Sequence, residues 1–275
     1  MHIHSISKVI SFPLVLLAVF IIFYGMKMGE NLSVMIVVPA VLLVVIYVFH
    51  GVLDHFWLTK FPVPLDPKLM IWLENHFPPY LNMSPELQKK FEYRLVLYIN
   101  GRLFQSVGSE MREVPEDIKC MIAAHGIHMT LGIKDYLIGD IDRIFLYKHP
   151  FPTPDFPTLH HVEVNTEDGV IILSLEQQVN AILQPDSYFN IAYYAYGEAF
   201  VFTHKDIIFS DLTDDWISLE IISGWPKEWF YSQTGLEKLS ITAVHITMFF
   251  SNPNEYQRIL PEYYEKLCNI FNQKL

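Results

Sequence analysis

Cysteine is nearly absent: the 275 residues contain two, Cys120 and Cys268. Both lie in apolar helical contexts, KCMIAAHGI and KLCNIF, so they read as buried free thiols and imply no disulfide framework. Positive charge is also scarce. Nineteen lysines and arginines face 30 acidic residues, giving a formal net charge of −11, and no basic cluster occurs. Nucleic acid and anionic lipid surfaces need concentrated positive charge, so neither is expected as a partner. The 12 glycines are scattered as single turn or cap residues, which excludes a phosphate-binding loop. No His-Glu-x-x-His sequence occurs, nor its inverse.

What is abundant is apolar surface. Residues of that class make up 51% of the chain, and the excess is concentrated near the N-terminus. Val9 to Tyr24 (VISFPLVLLAVFIIFY) and Leu32 to Phe49 (LSVMIVVPAVLLVVIYVF) are almost unbroken apolar runs of about 16 and 18 residues. With flanking residues each reaches the roughly 17 to 25 needed to cross a bilayer. A cleaved signal peptide is the alternative for the first run, but GMKMGENLS offers no small-x-small cleavage site and a second run follows at once. A transmembrane helical hairpin over 1–50 is the expectation. Lys8, Lys27, Lys60 and Lys68 flank the runs, a distribution that favours both ends on the cytoplasmic side.

Residues 51–65 read as a membrane-proximal linker, with Phe56 and Trp57 at the interface and Pro62 and Pro64 stiffening the exit. Residues 66–275 are long enough for one domain with its own core. Pro67, Pro85 and Pro115 are well placed as starts of helices through KLMIWLENHF, FEYRLVLYI and IKCMIAAHGIHMTL. RIFLYKH (143–149), HVEVNT (161–166) and GVIILSL (169–175) alternate as strands, the last two joined by a turn containing Asp168-Gly169. Helices follow around 188–203, around 236–250 and from Pro261. Helices around a small sheet make an α+β domain.

Five short segments occur in one order: MIAAHGIHMTLGIKD, IFLYKHPF, GVIILSLEQ, FNIAYYAYGEA and ITAVHITMFFSNPNEYQRILPEYYEKL. In that order the chain from about Leu69 onward resembles the Mlc titration factor A family, gluzincin-like zinc peptidases. The hairpin lies outside the resemblance. In that family the fourth segment carries His-Glu-x-x-His on a helix. Residues four apart share a face, so two imidazoles bind one zinc while the glutamate acts as general base on the metal-bound water. A glutamate before two aromatic residues in the last segment is the third ligand.

Carried over by position, the first histidine falls on Tyr194, the catalytic glutamate on Ala195, the second histidine on Glu198 and the third ligand on Thr247. All four differ from the family's residues, so the resemblance implies an inactive, zinc-peptidase-like domain with no catalytic residue, no bound metal and no cofactor. The family is named for titrating a transcription repressor, so a membrane-anchored regulatory module that binds a protein partner is the expected function. The rival is an active zinc-dependent membrane peptidase with a rearranged site; Tyr194, Glu198 and His245 are the candidate cleft residues. On a helix His245 faces about 200° away from Thr247.

Other groups read as structural. His125 and His128 share a helix face in an apolar run, His160-His161 falls in a solvated loop, and His204 faces away from Glu198. Ser174, Ser210 and Ser223 lack a nucleophile elbow. Asp211, Asp214 and Asp215 form a solvated or capping turn rather than a cation site. Tyr193, Tyr194 and Tyr196 either fill the space of a missing metal or line an open cleft.

Overall fold

The computed structural model describes residues 5–28, 33–108, 111–207, 209 and 215–275. The chain divides into two compact units, Met1–Pro64 and Leu65–Leu275.

The first unit is a helix pair, α1 (Ile6–Met28) and α2 (Ser33–Lys60). Stretches of 22 and 27 residues within them are long and apolar enough to cross a membrane. Their side chains, such as Phe12, Phe23, Val37 and Tyr47, are exposed, as suits helices surrounded by lipid. The two helices pack on each other, and one polar contact pins them. Asp54 of α2 accepts hydrogen bonds from Ser5 Oγ (2.6 Å), Ser7 Oγ (3.0 Å) and the Ser7 backbone N–H (2.9 Å), so it caps α1 from the neighbouring helix. The region expected as a linker, 51–65, is helical as far as Lys60. Gly51 costs only about 1 kcal/mol in a helix, and the first strong breakers are Pro62 and Pro64.

The second unit begins with α3 (Pro67–His76), whose first turn is capped by the Asp66 side chain, and a single turn, α4 (Pro78–Leu81). Ser84 caps α5 (Pro85–Gly101), which leads directly into strand β1 (Leu103–Val107). Next is α6 (Glu116–Met129), with Glu116 and Asp117 at the positive end of its dipole. The turn that follows it is gathered by buried Arg94 of α5, which donates to the carbonyls of Thr130, Leu131, Ile133 and Lys134 at 2.8 to 3.3 Å. Strands β2 (Arg143–Tyr147), β3 (Val162–Asn165) and β4 (Val170–Ser174) follow, then α7 (Leu175–Leu183), α8 (Ile191–Thr203), α9 (Trp216–Ser223), α10 (Lys227–Thr234), α11 (Ile241–Ser251), α12 (Pro253–Ile259) and α13 (Pro261–Phe271).

The sheet order is β1-β2-β4-β3, with β1, β2 and β4 parallel and β3 antiparallel at the edge. The unit is α+β, as its sequence pattern implies. Strand β1 was not anticipated, because LFQSV is short and half-exposed and follows a helix without a breaker. Neither were α7, α9, α10 or α12, whose short helices carry little periodic signal.

One side of the sheet, through Val162, Ile171 and Leu173, is buried where α8 packs on β3 and β4. Helices α5, α6, α8 and α11 then stack in sequence, each on the next. Helix α8 is at the centre, and a helix apolar on all sides belongs there. Two glycines let it sit close to its neighbours. A Cβ on Gly126 of α6 would lie 2.9 Å from the Tyr196 ring, and one on Gly197 would lie 3.2 Å from Ile246 of α11.

The loop with His160-His161 departs from expectation. His160 is fully buried: it pairs with Phe151 through two backbone hydrogen bonds, its Nε2 lies 3.2 Å from Glu163 and its Nδ1 lies 2.8 Å from the Thr158 carbonyl. The reason is the apolar content of FPTPDFP, which folds back over the edge strand and sets Phe151 and Phe156 edge-on to the His160 ring.

Candidate functional site

The site is built on α8, whose N-terminus is fixed by Asn190. That side chain makes three hydrogen bonds at once. Its Oδ1 accepts from the Tyr193 N–H (3.1 Å) and from Gln178 Nε2 (3.3 Å), and its Nδ2 donates to His125 Nε2 (3.0 Å). His125 Nδ1 donates to the Met121 carbonyl at 2.7 Å, so this imidazole is a neutral tautomer with both nitrogens used. Burial lowers its pKa to about 4 and that of His128, on the same face of α6, to about 3. His128 Nδ1 is hydrogen-bonded to the Tyr193 hydroxyl at 2.7 Å. Tyr193 stacks on Phe250 of α11 at 5.5 Å, with the His125 ring edge-on at 4.5 Å.

The next residue along α8 meets different neighbours. Tyr194 is fully buried beside Phe189, and its hydroxyl accepts the Ser240 backbone N–H at 3.1 Å and donates weakly to Glu198 Oε1 at 3.4 Å. Burial and the nearby Glu198 carboxylate push the Tyr194 phenol well above its ordinary range. Burial likewise raises the Glu198 carboxyl to about 7. Ala195 is fully buried and offers no proton acceptor. Thr247, also fully buried, donates its hydroxyl to the Ala243 carbonyl of its own helix at 2.7 Å. Thr247 lies seven residues beyond Ser240, the N-cap of α11, roughly 10 Å along the helix axis.

Of the four positions singled out by the resemblance, Tyr194 and Glu198 are hydrogen-bonded to each other, and no hydrogen bond among the described residues joins Thr247 to either. Tyr194 and Glu198 point to the start of α11, while Thr247 is spent on its own helix. A neutral phenol, one carboxyl and a donating threonine do not fit a zinc ion. Among the described residues, no group of three His, Cys, Asp or Glu side chains is placed to hold a metal.

His245 also turns elsewhere. Its Nδ1 is 2.9 Å from the Tyr256 hydroxyl on α12, and its buried Nε2 has no hydrogen-bond partner among the described residues. Burial lowers it to about 4, against a smaller opposing pull from Asp215. Asp215 caps α9 by accepting the Ser218 N–H, while Ser210, Asp211 and Asp214 lie outside the described residues. His204 stacks on Phe200 at 4.0 Å, Ser174 is buried, and Ser223 donates to the Leu219 carbonyl. Cys120 is buried and its thiol is raised to about 12.

The open space lies on the Tyr193 side. A cavity of about 370 Å³ is floored by Tyr193, His125 and Phe250 and walled by Phe77, Tyr188 and Trp225. A second cavity of about 300 Å³, beside His128, shares Pro79, Asn82, Phe250 and Pro253 with it, so the two adjoin. The first falls at the lower end of the size range of ligand sites. Of the three tyrosines, Tyr194 and Tyr196 fill the interior and Tyr193 floors the groove. Asn190 was missed in the sequence, although an asparagine directly before an apolar helical run is a recognisable N-cap signal.

No family model matches the chain, and no curated protein matches it.

Proposed function

We propose that this chain is a membrane-anchored, non-catalytic binding module, a pseudopeptidase on a frame like that of the Mlc titration factor A family, that holds a protein partner in the groove beside Tyr193. The hairpin anchors it, and the distribution of Lys8, Lys27, Lys60 and Lys68 favours a cytoplasmic domain. One observation carries the reading. The stripe of α8 that would need two metal ligands and a base is packed shut around Tyr194 and Ser240, while the adjacent stripe opens on a groove with buried, hydrogen-bonded walls.

The test uses the full chain in detergent micelles. After incubation with trace zinc and dialysis, the zinc-to-protein ratio should stay near zero, and casein hydrolysis should be absent with or without chelator. A photo-crosslinking residue at Tyr188, on the groove rim, should capture one membrane-extract protein that the same residue at Glu262 does not.

The rival reading, a peptidase with a rearranged site, draws on Glu198, because a half-buried carboxyl raised to about 7 is poised for proton transfer. Proteolysis lost both on chelation and in Glu198→Ala would establish that rival and overturn ours.

A further inference from the structure

The larger cavity has a chemical bias beyond its shape. Five aromatic side chains line it: Phe77, Tyr188, Tyr193, Trp225 and Phe250. Their packing holds them in place, Tyr193 against Phe250 and Trp225 against Trp229 at 3.6 Å. Asp186, exposed in the loop between α7 and α8, adds a carboxylate to the lining. No lysine or arginine occurs among the described lining residues; of the two lining histidines, His125 is held neutral by its two hydrogen bonds and His76 is exposed. An aromatic enclosure with one carboxylate and no lysine or arginine disfavours anions and attracts large, weakly hydrated cations through the negative faces of the rings. The net charge of −11 adds a long-range field of the same sign.

We propose that this cavity binds a quaternary or tertiary alkylammonium group, with the aromatic walls supplying cation–π contact and Asp186 the counter-charge. The inference rests on the groove being the working surface of the domain, and it names the chemistry recognised there. A methylated side chain of a partner, a free choline-like cation and a choline lipid headgroup all carry that group.

The discriminating experiment compares choline with its uncharged isostere 3,3-dimethyl-1-butanol. Binding to the full chain in maltoside micelles, free of choline lipids, is read by saturation transfer from the trimethyl protons. Choline should bind about tenfold more tightly, the range expected for a desolvated cation–π contact with a carboxylate nearby. Asp186→Asn, at an exposed position where folding is not at stake, should lower choline affinity roughly three- to tenfold and leave the isostere unchanged. Phosphocholine provides the arm that separates sources. Tighter binding than choline supports the proposal with a lipid headgroup as ligand, and weaker binding supports it with a free cation or methylated side chain. Equal binding of choline and the isostere overturns cation recognition and leaves the groove reading intact. Absence of binding by both overturns the proposal, and the cross-linking result at Tyr188 then decides the groove reading separately.

Discussion

Tyr193 and Tyr194 are neighbours on one helix with opposite surroundings. Tyr193 projects between α6 and α11, hydrogen-bonds an imidazole and floors a cavity. Tyr194 projects toward the start of α11, accepts a backbone N–H and is sealed from solvent. A step of one residue on a helix turns a side chain by 100°, enough here to exchange a binding surface for a packing position. In a helix apolar on every side, polarity does not reveal which stripe faces open space; only the neighbouring helices decide it.

The sharpest way to break this contrast is to remove the ring that makes it. Tyr193→Ala leaves a hole between His125, His128 and Phe250, and should destabilise the domain by about 3–5 kcal/mol. For a unit of this size that lowers the melting midpoint by roughly 10 °C. A loss below about 1 kcal/mol would mean that the groove wall is not a packed structure.

Tyr193→Phe is gentler, since it keeps the ring and deletes the hydroxyl facing His128 Nδ1. A buried ring nitrogen left without that partner should cost about 1–3 kcal/mol by denaturant unfolding. Adding His128→Leu should recover much of it, because deleting both partners removes the stranded polar group. If the double variant is no better than the single one, the hydrogen bond is not what the hydroxyl contributes.

The sequence revealed the elements better than the site. Proline and serine starts placed α3, α5 and α13 closely, and alternating Val, Ile and Leu placed β2, β3 and β4. Both apolar runs appear as helices long enough to cross a membrane, although α2 continues past the expected boundary because nothing before Pro62 stops it. Arg94 was invisible in the sequence because its partners are backbone carbonyls 36 to 40 residues away. The groove was invisible for a related reason. Phe77, Tyr188, Trp225 and Phe250 come from separate elements, and no local pattern says that four aromatic residues will meet around one cavity.

The smallest effect concerns the closed stripe and is separable by pH. The Glu198 carboxyl is raised from 4.5 to about 7 in the folded chain, so between these values the folded state keeps a proton that the unfolded state has lost. Its contribution to stability is then fully present below about pH 4.5 and is lost as pH rises toward 7. His125, His128 and His245 act in the opposite sense. Their pKa values are lowered from 6.5 to about 4, 3 and 4, so their contribution is present above pH 6.5 and is lost as pH falls. A wild-type profile alone mixes the two slopes, whereas the difference between wild type and Glu198→Gln cancels the histidines. Glutamine keeps an acceptor for the Tyr194 hydroxyl and carries no charge. Relative to wild type, the variant should gain about 1–2 kcal/mol between pH 4.5 and 8, since Glu198 is partly solvated and its cost is screened. Parallel profiles would place Glu198 in full contact with water and show that the stripe beside Tyr194 is open after all.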